Sequence, residues 1–282
     1  MTIPPLPELL LEPLVRAALI EDLGPSGDVT TQAVIAPDLS YHARINARDP
    51  GVVSGVQLAE LAFRLVDPAL RVTVLRPDGA RVAAGETVMT IDGAAASILS
   101  GERVALNFMG RLSGIATLTA AFVAQTKGTK ARITCTRKTT PGLRLVEKQA
   151  VRHGGGAAHR FGLSDAILIK DNHIAAAGGI AEVLTLARRA ASHMRRIEIE
   201  VDTLAQLDEV LATGGADVVL LDNMSTEDLR AAVDLVAGRL VTEASGNMRL
   251  RRIAEVAATG VDFISVGALT HSAQVLDLGL DF

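Results

Sequence analysis

Between residues 8 and 20, Leu10, Leu14, Ala17 and Ala18 recur at i, i+4, i+7 and i+8, which predicts a helix. Glu21–Asp28 is rich in Gly and Pro and reads as a loop. Tyr41, Ala43, Ile45 and Ala47 alternate with polar residues, the pattern of a half-buried strand. A short helix near 56–66 follows, then strand pieces near 71–75 and 87–91, with Asp78-Gly79, Gly85-Glu86 and Asp92-Gly93 read as turns. Such hairpins suggest a biotinyl or lipoyl carrier, but a carrier needs a lysine at its hairpin tip and none occurs before Lys127. From about residue 133 short apolar runs end in polar residues and alternate with helix-like segments: Ile133–Thr136, Ala166–Ile169, Ile197–Val201, Val218–Leu221, Leu240–Thr242 and Phe263–Val266. The later runs recur about every 22 residues, and Thr213-Gly214-Gly215-Ala216-Asp217-Val218-Val219 echoes Thr259-Gly260-Val261-Asp262-Phe263-Ile264. That rhythm predicts a parallel (β/α) barrel, closed or nearly closed, with six strands and room for a seventh.

Composition narrows the class. The 282 residues, 49% hydrophobic and 21% charged, are enough for a large core and exclude a disordered chain. The single cysteine, Cys135, excludes an intramolecular disulfide and a Cys-rich zinc site. Aromatics make up only 2%, too few for base-stacking platforms, and the net charge of −4 argues against general polyanion binding, so no nucleic-acid partner is expected. No basic leader precedes the Leu-rich start, and the uncharged stretch Leu112–Thr126 is too short to span a bilayer. The expectation is a soluble cytoplasmic protein with no membrane partner.

The charge is unevenly placed. Residues 127–173 hold ten basic side chains against three acidic ones and all five lysines, leaving −11 for the remainder. His153, His159 and His173 fall in the same window, with Gly154-Gly155-Gly156. Lys supplies a point charge and Arg a rigid fork, a mixture suited to a small, highly anionic ligand. In a barrel the site forms where strands end. Those ends read Arg137 and Lys138; Lys170 and Asp171; Glu200 and Asp202; Asp222 and Asn223; Glu243, Ser245 and Gly246; then Gly267. Any one of these reads most simply as a surface charge, but their recurrence at one topological position does not. Glu200 and Asp222 suit Mg²⁺ or sugar hydroxyls. Ser245-Gly246-Asn247 and Gly267-Ala268-Leu269-Thr270 let backbone N–H groups approach a phosphate.

Thr136-Arg137-Lys138-Thr139-Thr140-Pro141-Gly142-Leu143-Arg144 resembles the signature of the quinolinate phosphoribosyltransferases. So does the stretch from Lys148 through Gly154-Gly155-Gly156, His159-Arg160 and Leu168-Ile169-Lys170-Asp171-Asn172-His173. The likeness extends over nearly the whole chain, from Glu21-Asp22 and Asp28-Val29-Thr30-Thr31, through Gly101-Glu102-Arg103 with Asn107 and Leu112–Thr117, to Glu200-Val201-Asp202, Leu220–Asn223, Ser245-Gly246 and Val266–His271. The resemblance implies an N-terminal α/β sandwich domain over 1–115, an incomplete (β/α) barrel over 116–270, and a tail over 271–282 that packs on the N-terminal domain. It implies transfer of phosphoribose from phosphoribosyl pyrophosphate to quinolinate, yielding nicotinate mononucleotide, pyrophosphate and CO₂ with Mg²⁺ in NAD biosynthesis. It also implies a homodimer or larger assembly whose sites are shared between subunits.

Carried over residue by residue, Arg103 reaches quinolinate from the partner, Arg137, His159 and Arg160 line its pocket, and Thr136 binds substrate. Lys138 and Lys170 meet the donor and the substrate carboxylate, and with Glu200 and Asp222 form the catalytic set. Glu200 and Asp222 hold the ribose hydroxyls or the metal, which is bound mainly through substrate. Ser245, Gly246 and Asn247, with Gly267, Ala268 and Leu269, hold the 5′-phosphate. The chain departs from the family pattern at Cys135 (often Asp), Ala158 (usually Asn) and Asn247 (commonly Gly). Cys135 reads as a small buried strand residue.

The residue types suit this chemistry. Quinolinate has two carboxylates and the donor several phosphate charges, which Arg forks and Lys ammonium groups match. Loss of pyrophosphate leaves positive charge on the ribose, which Glu200 and Asp222 can stabilise. Decarboxylation beside a cationic ring nitrogen needs no dedicated base. Two rivals are a phosphoribosyltransferase for another anionic ring, or a paralogue tied to molybdenum uptake, either with an altered Arg103, Arg137, His159, Arg160 set. A third is a non-catalytic phosphosugar sensor, which could dispense with Glu200 and Asp222.

Overall fold

The computed structural model describes residues 3–282. In chain order its elements are α1 (Glu8–Leu23), α2 (Val29–Val34), β1 (Ser40–Ala47), β2 (Gly51–Val52), α3 (Val56–Val66), β3 (Arg71–Val74), β4 (Arg81–Val82), β5 (Thr87–Ala94), α4 (Ala95–Ala124), β6 (Arg132–Thr134), α5 (Arg144–His153) and β7 (Ile167–Ile169). They continue with α6 (Asp171–Ala177), α7 (Ile180–Ala190), β8 (Ile197–Val201), α8 (Leu204–Thr213), β9 (Val218–Asp222), α9 (Thr226–Val236), β10 (Val241–Ser245), α10 (Leu250–Ala257), β11 (Phe263–Ser265), α11 (Ala268–His271) and β12 (Leu278–Asp281). Two compact units result. One holds the chain up to Ala120, Thr140–Gly155 and Ser272–Phe282; the other holds Ala121–Thr139 and Gly156–His271. Helix α5 therefore groups with the first unit although it lies between two strands of the second, and α4 runs through the expected boundary at 115.

The first unit is built on a four-stranded antiparallel sheet of order β12-β1-β5-β3, with a separate two-stranded β2-β4 ribbon. Ala43, Ile45 and Ala47 of β1 are fully buried while Ser40, His42 and Arg44 face out, as the alternation requires. Two sequence expectations give way. Helix α1 continues through Glu21, Asp22 and Leu23, so the loop starts only at Gly24, whose φ is 55°. Asp92-Gly93 lies inside β5 and is not a turn; a Cβ on Gly93 would meet Leu70 Cδ2 at 2.7 Å, so that glycine marks a close approach. Asp28 of the Asp28–Thr31 motif caps α2, accepting the Thr31 N–H at 2.9 Å.

Leu112–Thr126 falls largely within α4, a 30-residue helix with an 18-residue window apolar enough to cross a membrane, but 56% of that window is buried. Ile98, Met109, Leu112 and Ile115 are core side chains, and the helix also carries Glu102, Arg103 and Arg111. Within this unit Arg111 pairs with the fully buried Glu147 at 2.9 Å, and Glu147 accepts from the Thr140 hydroxyl and backbone N–H at 2.7 and 3.1 Å. Gly114 sits where a Cβ would lie 1.9 Å from the Gln274 carbonyl oxygen. Gly114→Ala is therefore expected to cost about 3 kcal/mol or more, read as a lowered denaturant midpoint, because backbone opposes the methyl and no flexible side chain can give way.

The second unit is a single six-stranded sheet, every ladder parallel, in the order β6-β11-β10-β9-β8-β7. Consecutive strands β6 and β7 thus stand at opposite ends of the order, and among the described residues no ladder joins them. The outer edge of β6 carries one isolated parallel bridge, Thr134 to Ala157. This is the incomplete (β/α) barrel. The chain has the fold class that its sequence led us to expect: a mixed α/β first unit and a parallel α/β second unit.

Candidate active site

Strand pairing decides which side chains share the inner face. In a parallel ladder, residues directly paired point the same way. Glu198 pairs with Val218, Glu200 with Leu220, Leu220 with Glu243, and Asp222 with Ser245. Glu198, Glu200, Asp222, Glu243 and Ser245 therefore occupy one face. Ile197, Ile199, Val201, Val219, Leu221 and Ala244 occupy the other and are buried under the helices. Strands β8 and β9 are each followed within three residues by a side-chain helix cap. Thr203 accepts from Gln206 N–H, and Gln206 Oε1 accepts from Thr203 N–H, before α8; Ser225 caps α9 through Asp228 N–H at 3.1 Å. These caps fix the chain just beyond Glu200 and Asp222.

Lys170 follows β7, and its ammonium lies 2.5 Å from Glu200 Oε2; the Glu200 side chain is only 12% exposed. The Lys170 backbone N–H donates to His173 Nδ1 at 2.9 Å, so His173 closes the first turn of α6 and fixes Lys170. Thr136 Oγ1 accepts the Lys138 N–H at 3.0 Å, and the Lys138 carbonyl accepts from Thr270 Oγ1 at 2.6 Å. A Cβ on Gly267 would lie 3.1 Å from Lys138 Cδ and 3.2 Å from His271 Nε2, so the bare glycine lets Lys138 cross the start of α11. Leu269 is fully buried, so its side chain presents no surface to a ligand.

Asn223, Gly246 and Asn247 all have positive φ, at 53°, 91° and 47°. Asn223 ties the two loops together: its N–H donates to the Ser245 carbonyl at 3.1 Å, its Nδ2 donates to Asp222 Oδ2 at 2.6 Å, and its Oδ1 accepts from Asn247 Nδ2 at 3.2 Å. A Cβ on Gly246 would lie 2.2 Å from Asn223 Oδ1 and 2.7 Å from its backbone nitrogen. Gly246→Ala is expected to cost about 1–3 kcal/mol, from strain and this clash, and to lower the melting temperature accordingly.

His159 stands between two buried carboxylates, with Nε2 3.2 Å from Glu198 Oε2 and 3.4 Å from Glu243 Oε1. Burial disfavours charge on the ring, but the hydrogen bonds and charges of Glu198 and Glu243 outweigh it and raise its pKa to about 10. Burial pushes the Glu198 carboxyl up, and the neighbouring Glu243 charge adds to that. The Arg160 N–H lies 2.8 Å from Nδ1 and donates to it in the neutral ring. A second ring proton forfeits that bond and turns the two N–H groups on each other, so the Arg160 N–H opposes the charging that Glu198 and Glu243 favour. Because the folded-state pKa is raised, the stability His159 contributes is complete below about pH 6.5 and is lost as pH rises through about 10. The difference in melting temperature between the wild type and His159→Gln should shrink across that interval.

Arg137 and Arg160 each bury an Nε without a hydrogen-bond partner. Burial and the neighbouring Arg137 charge depress the Arg160 pKa, while Glu198 and Asp165 oppose this. Arg160 Nη1 donates to the Ala166 carbonyl at 3.3 Å. Cys135 is fully buried, as read from the sequence. Arg103 belongs to the first unit; its side chain is 63% exposed and lies 3.8 Å from Glu102. The second unit therefore carries every predicted site residue except Arg103.

Glu198 was missed as a site residue, and Asn223 and Glu243 were read only as strand ends. The signal was present in Glu198-x-Glu200 and Glu243-x-Ser245, whose period of two puts each pair on one strand face. Among the described residues, two donor sets suit a metal. Glu200 and Asp222 offer hard oxygen atoms, and His159, Glu198 and Glu243 place ligand atoms within 4.8 Å of one another.

Comparison with known proteins fits this geometry. Residues 28–113 match the family description "Quinolinate phosphoribosyl transferase, N-terminal domain", and residues 115–281 match its C-terminal domain. A Bacillus subtilis protein named probable nicotinate-nucleotide pyrophosphorylase [carboxylating] is 44% identical over 273 residues, 97% of this chain and 93% of its own. The Mycobacterium leprae nicotinate-nucleotide pyrophosphorylase [carboxylating] is 44% identical over 272 residues, 95% of each chain. The solved nicotinate-nucleotide pyrophosphorylase of Francisella tularensis superposes with a TM-score of 0.94 at 41% identity, covering 98% of this chain and 97% of that one.

Proposed function

The chain belongs to the quinolinate phosphoribosyltransferase family, and on that premise we propose that it transfers phosphoribose from phosphoribosyl pyrophosphate to quinolinate with loss of CO₂, a step of NAD biosynthesis. The observation that carries this reading is the arrangement of cations and acids at the strand ends of the second unit. Arg137, Lys138, His159, Arg160 and Lys170 supply five basic groups, and Glu200 and Asp222 supply two carboxylates on the inner face. The first set matches a dianionic ring acid and a polyphosphate; the second matches ribose hydroxyls and the positive charge that develops on the sugar.

In the reaction the C1–oxygen bond to pyrophosphate breaks and the ring nitrogen of quinolinate bonds to C1. The pyridinium then draws the electron pair of the breaking C2–carboxylate bond, CO₂ leaves, and C2 takes up a proton. Lys170, beside Glu200, and Lys138 stabilise the departing and bound anionic groups. Ser245–Asn247 and Gly267–Leu269 hold the 5′-phosphate by backbone N–H groups. Glu200 and Asp222 would hold Mg²⁺ jointly with the pyrophosphate. Their oxygens suit a hard cation, and each carboxylate keeps one oxygen beyond its contact with Lys170 or Asn223. When bound, that ion would neutralise pyrophosphate charge. Quinolinate-dependent CO₂ release that requires the phosphoribosyl donor tests the assignment; release without the donor, or none with it, would reject it.

The working form is a cytoplasmic homodimer or larger assembly in which Arg103 of one subunit serves the site of its partner. The exposed Arg103 side chain supports this. Arg103→Ala and Lys138→Ala proteins, each inactive alone, should regain activity when mixed under conditions of demonstrated subunit exchange, because a hybrid dimer holds one intact site. Exchange without recovery would place Arg103 in its own subunit's site or outside any site.

A further inference from the structure

We propose that Glu198 and Glu243 are positioning residues for the quinolinate half of the site, gripping His159 from the inner face of the barrel and through it holding the Arg160 segment. The proposal rests on the quinolinate reading above. The two acids come from β8 and β10, with β9 between them, and the inner-face residues of β9 at that level are apolar, Val218 and Leu220. They nonetheless converge on one ring nitrogen, at 3.2 and 3.4 Å. Nε2 carries a hydrogen in the imidazolium and in the neutral ring that accepts from Arg160, so the grip holds in both states.

Glu198 is 8% exposed and Glu243 5%; Glu198 keeps a buried Oε1 with no hydrogen-bond partner, and Glu243 Oε1 is the buried oxygen that faces His159 Nε2 at 3.4 Å. Two neighbouring buried carboxylates carry a large desolvation penalty that apolar side chains of the same volume would avoid. The positions therefore need a reason beyond stability. His159 supplies one, because its backbone leads directly into Arg160, the cation whose Nε is also buried without a partner. A cation bridging His159, Glu198 and Glu243 is the competing explanation for their 4.8 Å spacing. The charge of His159 already faces both acids and that of Arg160 acts on Glu198, so the cluster does not need one.

The experiment uses Glu198→Gln, Glu243→Gln and the double variant, which preserve shape. It measures quinolinate binding by calorimetry, KM for each substrate, kcat and melting temperature. Expected are a quinolinate KM and Kd raised about tenfold or more, a donor KM within about threefold, and kcat changed far less than KM. His159→Gln, which retains a donor amide, should bind quinolinate better than His159→Leu. Wild-type quinolinate affinity in the double variant, or an equal rise for both substrates, would overturn the proposal. So would stoichiometric binding of Co²⁺ by the wild type that the double variant loses. If the double variant does not fold, the single variants and the His159 pair decide by the same criteria. A wild-type protein that does not consume quinolinate would instead reject the functional reading, before any variant is compared.

Discussion

Nicotinate is expected to react with a kcat/KM at least about 10³-fold below that of quinolinate, measured at saturating donor and Mg²⁺. Nicotinate lacks the carboxylate beside the ring nitrogen. The pocket we assign to that group is lined by Arg137, His159, Arg160 and Lys170, with Arg103 from the partner. Arg137 and Arg160 already bury Nε atoms that no protein group satisfies, so the loss of an anionic ligand leaves cations without their counter-charge. A site built to bind a polar group rejects an analogue lacking it by up to ~10⁴–10⁵. Partial solvent access to Lys170, whose side chain is 46% exposed, lowers the expected ratio. Nicotinate also lacks the leaving CO₂, so its product carries one fewer chemical step and its reaction should show no carbon isotope effect from decarboxylation. Comparable kcat/KM values for the two acids would detach this cation set from a second carboxylate.

Lys170→Met should lower kcat/KM by about 10²–10³, the usual consequence of removing one group that stabilises developing charge. Its ammonium is the partner of Glu200, so the substitution also leaves a nearly buried carboxylate uncompensated and turns it against an anionic substrate. Lys170→Arg keeps the charge but changes its shape, and should recover little. Lys130→Arg is the control. Lys130 pairs with Asp262 at 2.7 Å on the surface, with its own side chain 59% exposed, and such pairs contribute about 0–1 kcal/mol. Equal tolerance at positions 130 and 170 would show that the lysine-rich window reports surface charge and not chemistry.

Much of this protein is local and was legible in the chain. The helix over 56–66 and the strands at 40–47, 197–201 and 218–222 follow from spacing alone, because a side chain's direction within a helix or strand depends on the few residues around it. The basic window, the strand-end position of Glu200, Asp222 and Lys170, and the glycine-bearing loops at 246 and 267 are likewise sequence properties. What stayed hidden depends on partners far along the chain. Gly93 reads as a turn until Leu70 is seen against it. The placement of α5 with β12 in one unit cannot be read from either segment. Glu198 and Glu243 are separated by 45 positions, and only the register that aligns β8, β9 and β10 brings both to His159. Sequence fixes which face of its own element a residue occupies. Which charges share a buried space, and therefore whether two acids repel or together hold a cation, is settled by strand order and register across the whole sheet.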